Sequence, residues 1–238
     1  PRGYVIQTWH GTPLKKIGLD IGSLRSKYYI HRFGKELKHT DLFLAQSEYA
    51  KDIFARTFNY KNEMFISGYP QNDELINVED SKVEELKKRY NLSGYKKIIL
   101  YAPTWRDNRV RRNGIRKTRL FDFMFDVNKL SQELDKDSIL VVKPHQMEAT
   151  DGFDYKLPSN VRIIRDASTE ELMIISSSLI TDYSSIYFDY MCLNKPILFY
   201  APDIEQYGND LRGFYFDYKE ENVPGRIIEK EEELIKII

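Results

Sequence analysis

Short runs rich in β-branched and aromatic residues alternate along this chain with stretches whose apolar residues recur every three or four positions. That alternation is the mark of βαβ units around a mainly parallel sheet, an α/β fold. The pattern predicts strands at Tyr4 to Thr8, Leu42 to Gln46, Met64 to Ser67, Lys97 to Ala102, Ile139 to Lys143, Val161 to Ile164, Ser178 to Thr181 and Pro196 to Phe199. Several are almost wholly apolar, as strands covered on both faces should be. Helices are predicted over Glu48 to Phe58, Val127 to Leu134, Ser168 to Ser176 and Ser184 to Leu193, and the closing EKEEELIKII also reads as a helix.

A charged, helical-looking stretch from Asn77 to Asn91, followed by Ser93 and Gly94, separates two βα blocks. A domain boundary is therefore expected between Asp80 and Tyr95, dividing the chain into 1–85 and 86–238. The first block offers about three strands where a complete doubly wound domain has five or six. It is expected to be the rear part of a domain, and the start at Pro1 and the stop within a helical pattern fit a piece of something longer. No solenoid period or low-complexity tract interrupts the pattern.

Composition narrows the function classes. The 238 residues suit one large domain or two small ones at about 100–200 residues each. Lys plus Arg and Asp plus Glu each total 36, and the formal net charge of +0 argues against a surface built throughout for nucleic acid. Any polyanion site must be local. A hydrophobic fraction of 42%, with 17 Tyr and 13 Phe, belongs to a chain that folds. The single cysteine, Cys192, excludes an internal disulfide framework and a cysteine-based zinc site, and a reducing setting is the simpler reading. No run approaches the roughly 18 apolar residues of a membrane span, and the first residues lack signal-peptide order, so the chain as given is expected to be soluble.

Candidate chemistry sits where predicted strands end. In QTWHGTPLKK a strand ends at Trp9, and His10 is followed by Gly11, Thr12, Pro13 and what reads as a basic helix start. Ligands of parallel sheets lie beyond the carboxyl ends of strands, and a neutral imidazole is the natural group to take a proton from an alcohol. The alternative is a helix-capping turn whose histidine merely packs on Trp9. The strand ILVVK runs likewise into Pro144 and His145, and Pro144 holds Lys143 extended so that His145 points off the sheet edge. Two strand-end histidines in different domains suggest a shared cleft. His31 and His39 lie among Lys and Arg and read as surface residues, and no spacing links any histidine pair into a metal site.

In LITDYSSIYFDY a strand leads into Thr181, Asp182, Tyr183, Ser184 and Ser185 at a helix start. Free N–H groups and hydroxyls there suit a phosphate or pyrophosphate, although Ser and Asp are also simply good caps. A dinucleotide fingerprint and a P-loop are both absent. YAPTWRDNRVRRNGIRKTRL carries Arg106, Arg109, Arg111, Arg112, Arg116, Lys117 and Arg119 in what reads as a loop. Arginine forks suit phosphate oxygens, and Arg106 is fixed nearest a strand end; the others fit a solvated surface, or acceptor or membrane-headgroup contact.

Taken together, QTWHGTPLKK, GYPQND at Gly68 to Asp73, YAPTWRD, TDYSSIYFDY, KPILFY at Lys195 to Tyr200 and LRGFYFDY at Leu211 to Tyr218 resemble the CDP-glycerol glycerophosphotransferase family of teichoic acid primases and polymerases. The resemblance spans about Tyr4 to Pro224. It implies a GT-B type fold of two Rossmann-like domains with parallel sheets, the N-terminal one incomplete here. Residues 1–85 would be the acceptor-side domain and 86–238 the CDP-binding domain.

The resemblance further implies His10 as catalytic base and His145 at the donor phosphates. Gly11, Thr12, Arg106, Thr181, Ser184, Ser185 and Arg212 would contact the CDP-activated donor, with no metal and no cofactor required. The expected reaction transfers glycerol phosphate from CDP-glycerol to the hydroxyl end of a lipid-linked acceptor in teichoic acid or capsule synthesis, releasing CMP. The expected location is peripheral, at the cytoplasmic face of the cell membrane, with no nucleic-acid partner. A CDP-ribitol donor, a GT-B glycosyltransferase or epimerase, and a non-catalytic binding module are the competing readings. The basic stretch after Arg106 does not follow from the family pattern.

Overall fold

The structure, a computed structural model, describes residues 3–22, 31, 33–104, 110–113, 116–145, 148–149, 157–204 and 213–238, with only the backbone along 110–113, 116–120 and 148–149. It divides into two compact units, Pro1–Asp73 with Glu205–Tyr218, and Glu74–Ile204 with Lys219–Ile238.

In the first unit β1 (Ile6–Gln7), β2 (Leu42–Ala45) and β3 (Met64–Ile66) form a three-stranded parallel sheet in that order. The helix Glu48–Phe58 lies on one face because Ala50, Ile53, Phe54, Thr57 and Phe58 repeat at helical spacing and are buried. Ser47 caps its start by accepting from the Ala50 N–H at 3.3 Å, and Asn59 ends it in the left-handed region at φ 49°. Phe43 is fully buried and stacks on Phe54 at 5.1 Å between ring centroids, within a cluster that includes Phe33, Leu37, Phe58 and Tyr60.

The second unit holds six parallel strands: β4 (Lys97–Tyr101), β7 (Ser138–Val142), β9 (Val161–Ile163), β10 (Ser178–Thr181), β11 (Ile197–Tyr200) and β12 (Arg226–Ile228). Their spatial order is β12-β11-β10-β4-β7-β9. Counted from β4 within the unit, that is the 3-2-1-4-5-6 order of doubly wound nucleotide-binding sheets, with the reversal of direction between β4 and β10. Ser138 to Val142 is buried at every position, as a central parallel strand should be. The core of the unit gathers Ile99, Tyr101, Leu140, Val142, Ile180 and Tyr200 with Phe121 and Phe125.

Three expectations change. The domain division falls at 73/74 instead of 85/86, because the helix Asp80–Arg89 and Tyr90 join the second unit through the contacts of Arg89 and Tyr90 to Glu171. The segment Glu205–Tyr218 returns to the first unit. The basic stretch read as a loop is a β-ribbon: β5 (Val110–Asn113) pairs antiparallel with β6 (Arg116–Leu120), and β8 (Glu148–Ala149) adds in parallel. Strand β12, also missing from the pattern, is only three residues long.

Candidate active site

The loop after β1 is shaped by its backbone. Trp9 has φ 57° and Gly11 φ 151°, so His10 sits between two residues in conformations that side chains resist. For a tryptophan this is costly and persists only because the ring is fixed, here packed among Phe33, Phe43, Phe54 and Phe58 at 5.0–6.5 Å. The His10 ring stacks on the Trp9 indole at 4.3 Å. It remains open to solvent at its edge, while desolvation of the packed face lowers its pKa below the ordinary 6.5 and keeps it neutral at pH 7. Thus the packing foreseen as an alternative to function coexists with an exposed, neutral base. Gly11 is buried, and Thr12 is only 4% exposed, its hydroxyl without a hydrogen-bond partner among the described residues.

No helix follows Pro13. The chain runs extended, Lys15 forms an isolated antiparallel bridge with Phe214, and a 3-10 turn spans Gly18–Ile21. Tyr49 Oη, on the helix Glu48–Phe58, donates to the Pro13 carbonyl at 2.8 Å, and its burial pushes its own pKa up to about 12. QTWHGTPLKK and LRGFYFDY were each legible as motifs in the sequence, but their pairing was not.

In the second unit β10, β4 and β7 are neighbours, so the turns after them emerge together at one carboxyl edge. They are bonded to one another. Lys143 N–H donates to the Tyr101 carbonyl at 2.9 Å, the Thr181 hydroxyl to the Ala102 carbonyl at 2.7 Å, and Thr104 N–H to Asp182 Oδ1 at 2.8 Å. Lys143 Nζ also donates to the carbonyls of Arg165 and Ala167 at 2.8 and 2.5 Å, and burial lowers its pKa. His145 is exposed just beyond this anchored lysine, and Ser184 and Ser185 are half-buried.

Thr181 lies inside the turn. It is fully buried and its hydroxyl proton is committed to Ala102, so it shapes the turn instead of presenting a donor. The helix that follows is short, Ile186–Tyr190, continued by a 3-10 turn at Met191–Leu193, and Ser184 Oγ accepts from the Ile186 N–H at 3.4 Å. Asp182, 1% exposed and read in sequence only as a possible cap, instead accepts from the Thr104 N–H of the neighbouring turn. Arg106 and Arg212 lie outside the described residues, as do the side chains of Arg111, Arg112, Arg116, Lys117 and Arg119, and Arg109. His31 and His39 are exposed, as expected. Among the described residues no group of three His, Cys, Asp or Glu could hold a metal ion, and no helix is long and apolar enough to cross a membrane.

Parallel α/β units, one in doubly wound order with polar turns at the carboxyl edge of its switch point, define a protein of the GT-B-like class. The chain belongs to the CDP-Glycerol:Poly(glycerophosphate) glycerophosphotransferase family, whose model matches residues 1–238. It is 38% identical over 247 residues to a teichoic acid glycerol-phosphate transferase of Staphylococcus aureus, covering 99% of this chain and 61% of that protein. It is 39% identical over 246 residues to a teichoic acid poly(glycerol phosphate) polymerase of Bacillus subtilis, covering 98% of this chain and 32% of the relative. Among solved structures, the wall teichoic acid polymerase TagF soaked with CDPG superposes with a TM-score of 0.82 at 33% identity, covering 98% of this chain and 58% of that one. A poly(ribitol-phosphate) polymerase of Bacillus spizizenii is 29% identical. The chain thus spans 61% or less of the length of these transferases.

Proposed function

We propose that the protein transfers glycerol phosphate from CDP-glycerol to the terminal hydroxyl of a poly(glycerophosphate) acceptor and releases CMP. The observation that carries the reading is His10: an exposed imidazole, neutral at pH 7, held on a strand-end loop between two residues of positive φ. Such geometry suits proton abstraction from an alcohol. The acceptor oxygen attacks the phosphorus that bears glycerol, a new P–O bond forms, the bond to CMP breaks, and His10 takes the hydroxyl proton. His145 offsets charge on the donor phosphates, with Ser184, Ser185 and the backbone at their turn. Gly11 and Thr12, the latter with a buried hydroxyl that has no partner among the described residues, are proposed as further donor contacts. Arg106 and Arg212 are proposed as further phosphate contacts.

In this reading the first unit presents the acceptor and the second binds CDP. The acceptor is lipid-linked, and the protein works at the cytoplasmic face of the membrane, with the cationic 110–120 ribbon available to anionic headgroups. Glycerol is favoured over ribitol as the transferred polyol by the higher identity to glycerol-phosphate enzymes, 38% against 29%. The test is CMP release by the full-length protein with CDP-glycerol and CDP-ribitol in parallel. CDP-glycerol should be preferred, and His10→Ala should lower turnover about 10²- to 10⁴-fold. Near wild-type CMP release by His10→Ala would remove the base assignment; preference for CDP-ribitol would reassign the donor.

A further inference from the structure

The loop that carries His10 is held by a segment some 200 positions away in sequence. Tyr215 N–H donates to the Leu14 carbonyl at 3.0 Å, Lys16 N–H to the Gly213 carbonyl at 3.1 Å, and Ile17 N–H to Tyr215 Oη at 3.1 Å. Three backbone groups of the loop therefore find their partners in the strap 213–215. Gly213 suits the strap's backbone: its φ of +67° is in the left-handed region, where other residues are strained.

Tyr215 is in turn fixed by charge. Its ring lies beneath the Arg56 guanidinium, 5.8 Å from carbon to centroid, and Arg56 pairs with Asp20 at 2.8 Å. Burial alone would raise the Asp20 carboxyl, and its interactions with Arg56 and Tyr215 outweigh that and hold it below its usual range. Burial pushes Tyr215 up to about 12, so its hydroxyl stays protonated while it accepts from the Ile17 N–H. Tyr215 thus joins the loop through its hydroxyl and, through the Arg56 guanidinium over its ring, the helix Glu48–Phe58, while Arg56 in turn holds Asp20 of the 3-10 turn.

We infer that Tyr215 is a positioning residue for the His10 loop, braced by Asp20 and Arg56; the inference rests on His10 being the base. Nothing in this arrangement touches a reacting atom. Its effect is on where the imidazole stands, and misplacement by about 1 Å can cost about 10²-fold in rate.

The decisive measurement is steady-state CMP release from CDP-glycerol by full-length Tyr215→Phe, which keeps the ring and backbone bonds and removes only Oη. The expected result is a fall in kcat of about 10-fold or more, with KM for CDP-glycerol changed less than about twofold and an unaltered melting curve. Arg56→Ala should show the same split, and Arg56→Lys should restore part of kcat. Wild-type kcat in both Tyr215→Phe and Arg56→Ala, or kcat falling only in step with loss of folded protein, overturns the inference. His10→Ala in the same assay separates the two readings. If it is inactive while Tyr215→Phe matches wild type, positioning alone is refuted; if it retains activity, the base assignment falls and positioning falls with it.

Discussion

Replacing Thr181 by valine tests whether this buried hydroxyl supports the turn or serves the ligand. Valine keeps the β-branched shape that suits the end of β10, so the change is confined to one hydroxyl exchanged for a methyl. The lost bond is the 2.7 Å donation to the Ala102 carbonyl, between two buried residues. Leaving that carbonyl unsatisfied costs about 1–3 kcal/mol, and the added methyl returns at most about 0.8 kcal/mol by apolar burial. A net loss of about 1–2 kcal/mol is expected. Two units need not unfold in one transition, so the readout is native-state hydrogen exchange at the slowest amides of β4 and β10, which report the second unit. Their exchange should quicken about 5- to 30-fold. Thr181→Ser, which keeps the donor, should recover most of the protection. Wild-type exchange in the valine variant, together with a raised KM for CDP-glycerol, would refute this assignment and return Thr181 to the donor contacts.

Three further outcomes follow from the geometry. Because packing holds His10 below its ordinary pKa, the acid limb of kcat/KM should lie below pH 6.5; its folded state also binds a proton less readily than the unfolded chain, so its contribution to stability is complete above pH 6.5 and is lost as pH falls through the lower folded value. Imidazole NMR titration checks both. Phe43→Ala, which opens a cavity beneath Trp9 in a fully buried cluster, should destabilise the first unit by about 3–5 kcal/mol in thermal unfolding. Lys195→Met should cost about 1.5–3 kcal/mol in urea unfolding, because Lys195 Nζ donates to the carbonyls of Met173, Ile174 and Ser176 where the helix Thr169–Ile175 ends.

Long apolar patterns translated directly into elements. The helix Glu48–Phe58 and strand Ser178–Thr181 have the limits their periodicity predicts, since one is bounded by Ser47 and Asn59 and the other by turn residues. Short elements did not: Arg226–Ile228 owes its place to pairing with β11, and Val110–Asn113 with Arg116–Leu120 is a charged ribbon whose composition resembles a loop. The helix expected after Pro13 failed for a related reason. LKKIG has helical propensity, but the strap at 213–215 offers it backbone partners, and tertiary pairing outweighs a preference of a few tenths of a kcal/mol per residue. Strand-end histidines were legible because β-strand limits and the residues after them lie together in sequence. Tyr215, Asp20 and Arg56 were not, because no local pattern links positions so far apart.

The same limit explains why the strand-end turns of the second unit gained meaning only with the sheet order. In sequence, Ala102 to Thr104, Lys143 to His145 and Thr181 to Ser185 are separated by tens of residues, and each admits a purely structural reading. The placement of β4 between β10 and β7 makes them adjacent, and the bonds Lys143 to Tyr101, Thr181 to Ala102 and Thr104 to Asp182 join them into one edge. Buried and half-buried members of each turn do the joining, while the His145 side chain is exposed and those of Ser184 and Ser185 are half-buried. Were the edge only a structural seam, its polar groups would all be directed inward. A rigid inner row with an accessible outer row is what preorganised binding of a charged ligand requires, because the support neither moves nor competes for the ligand's oxygens.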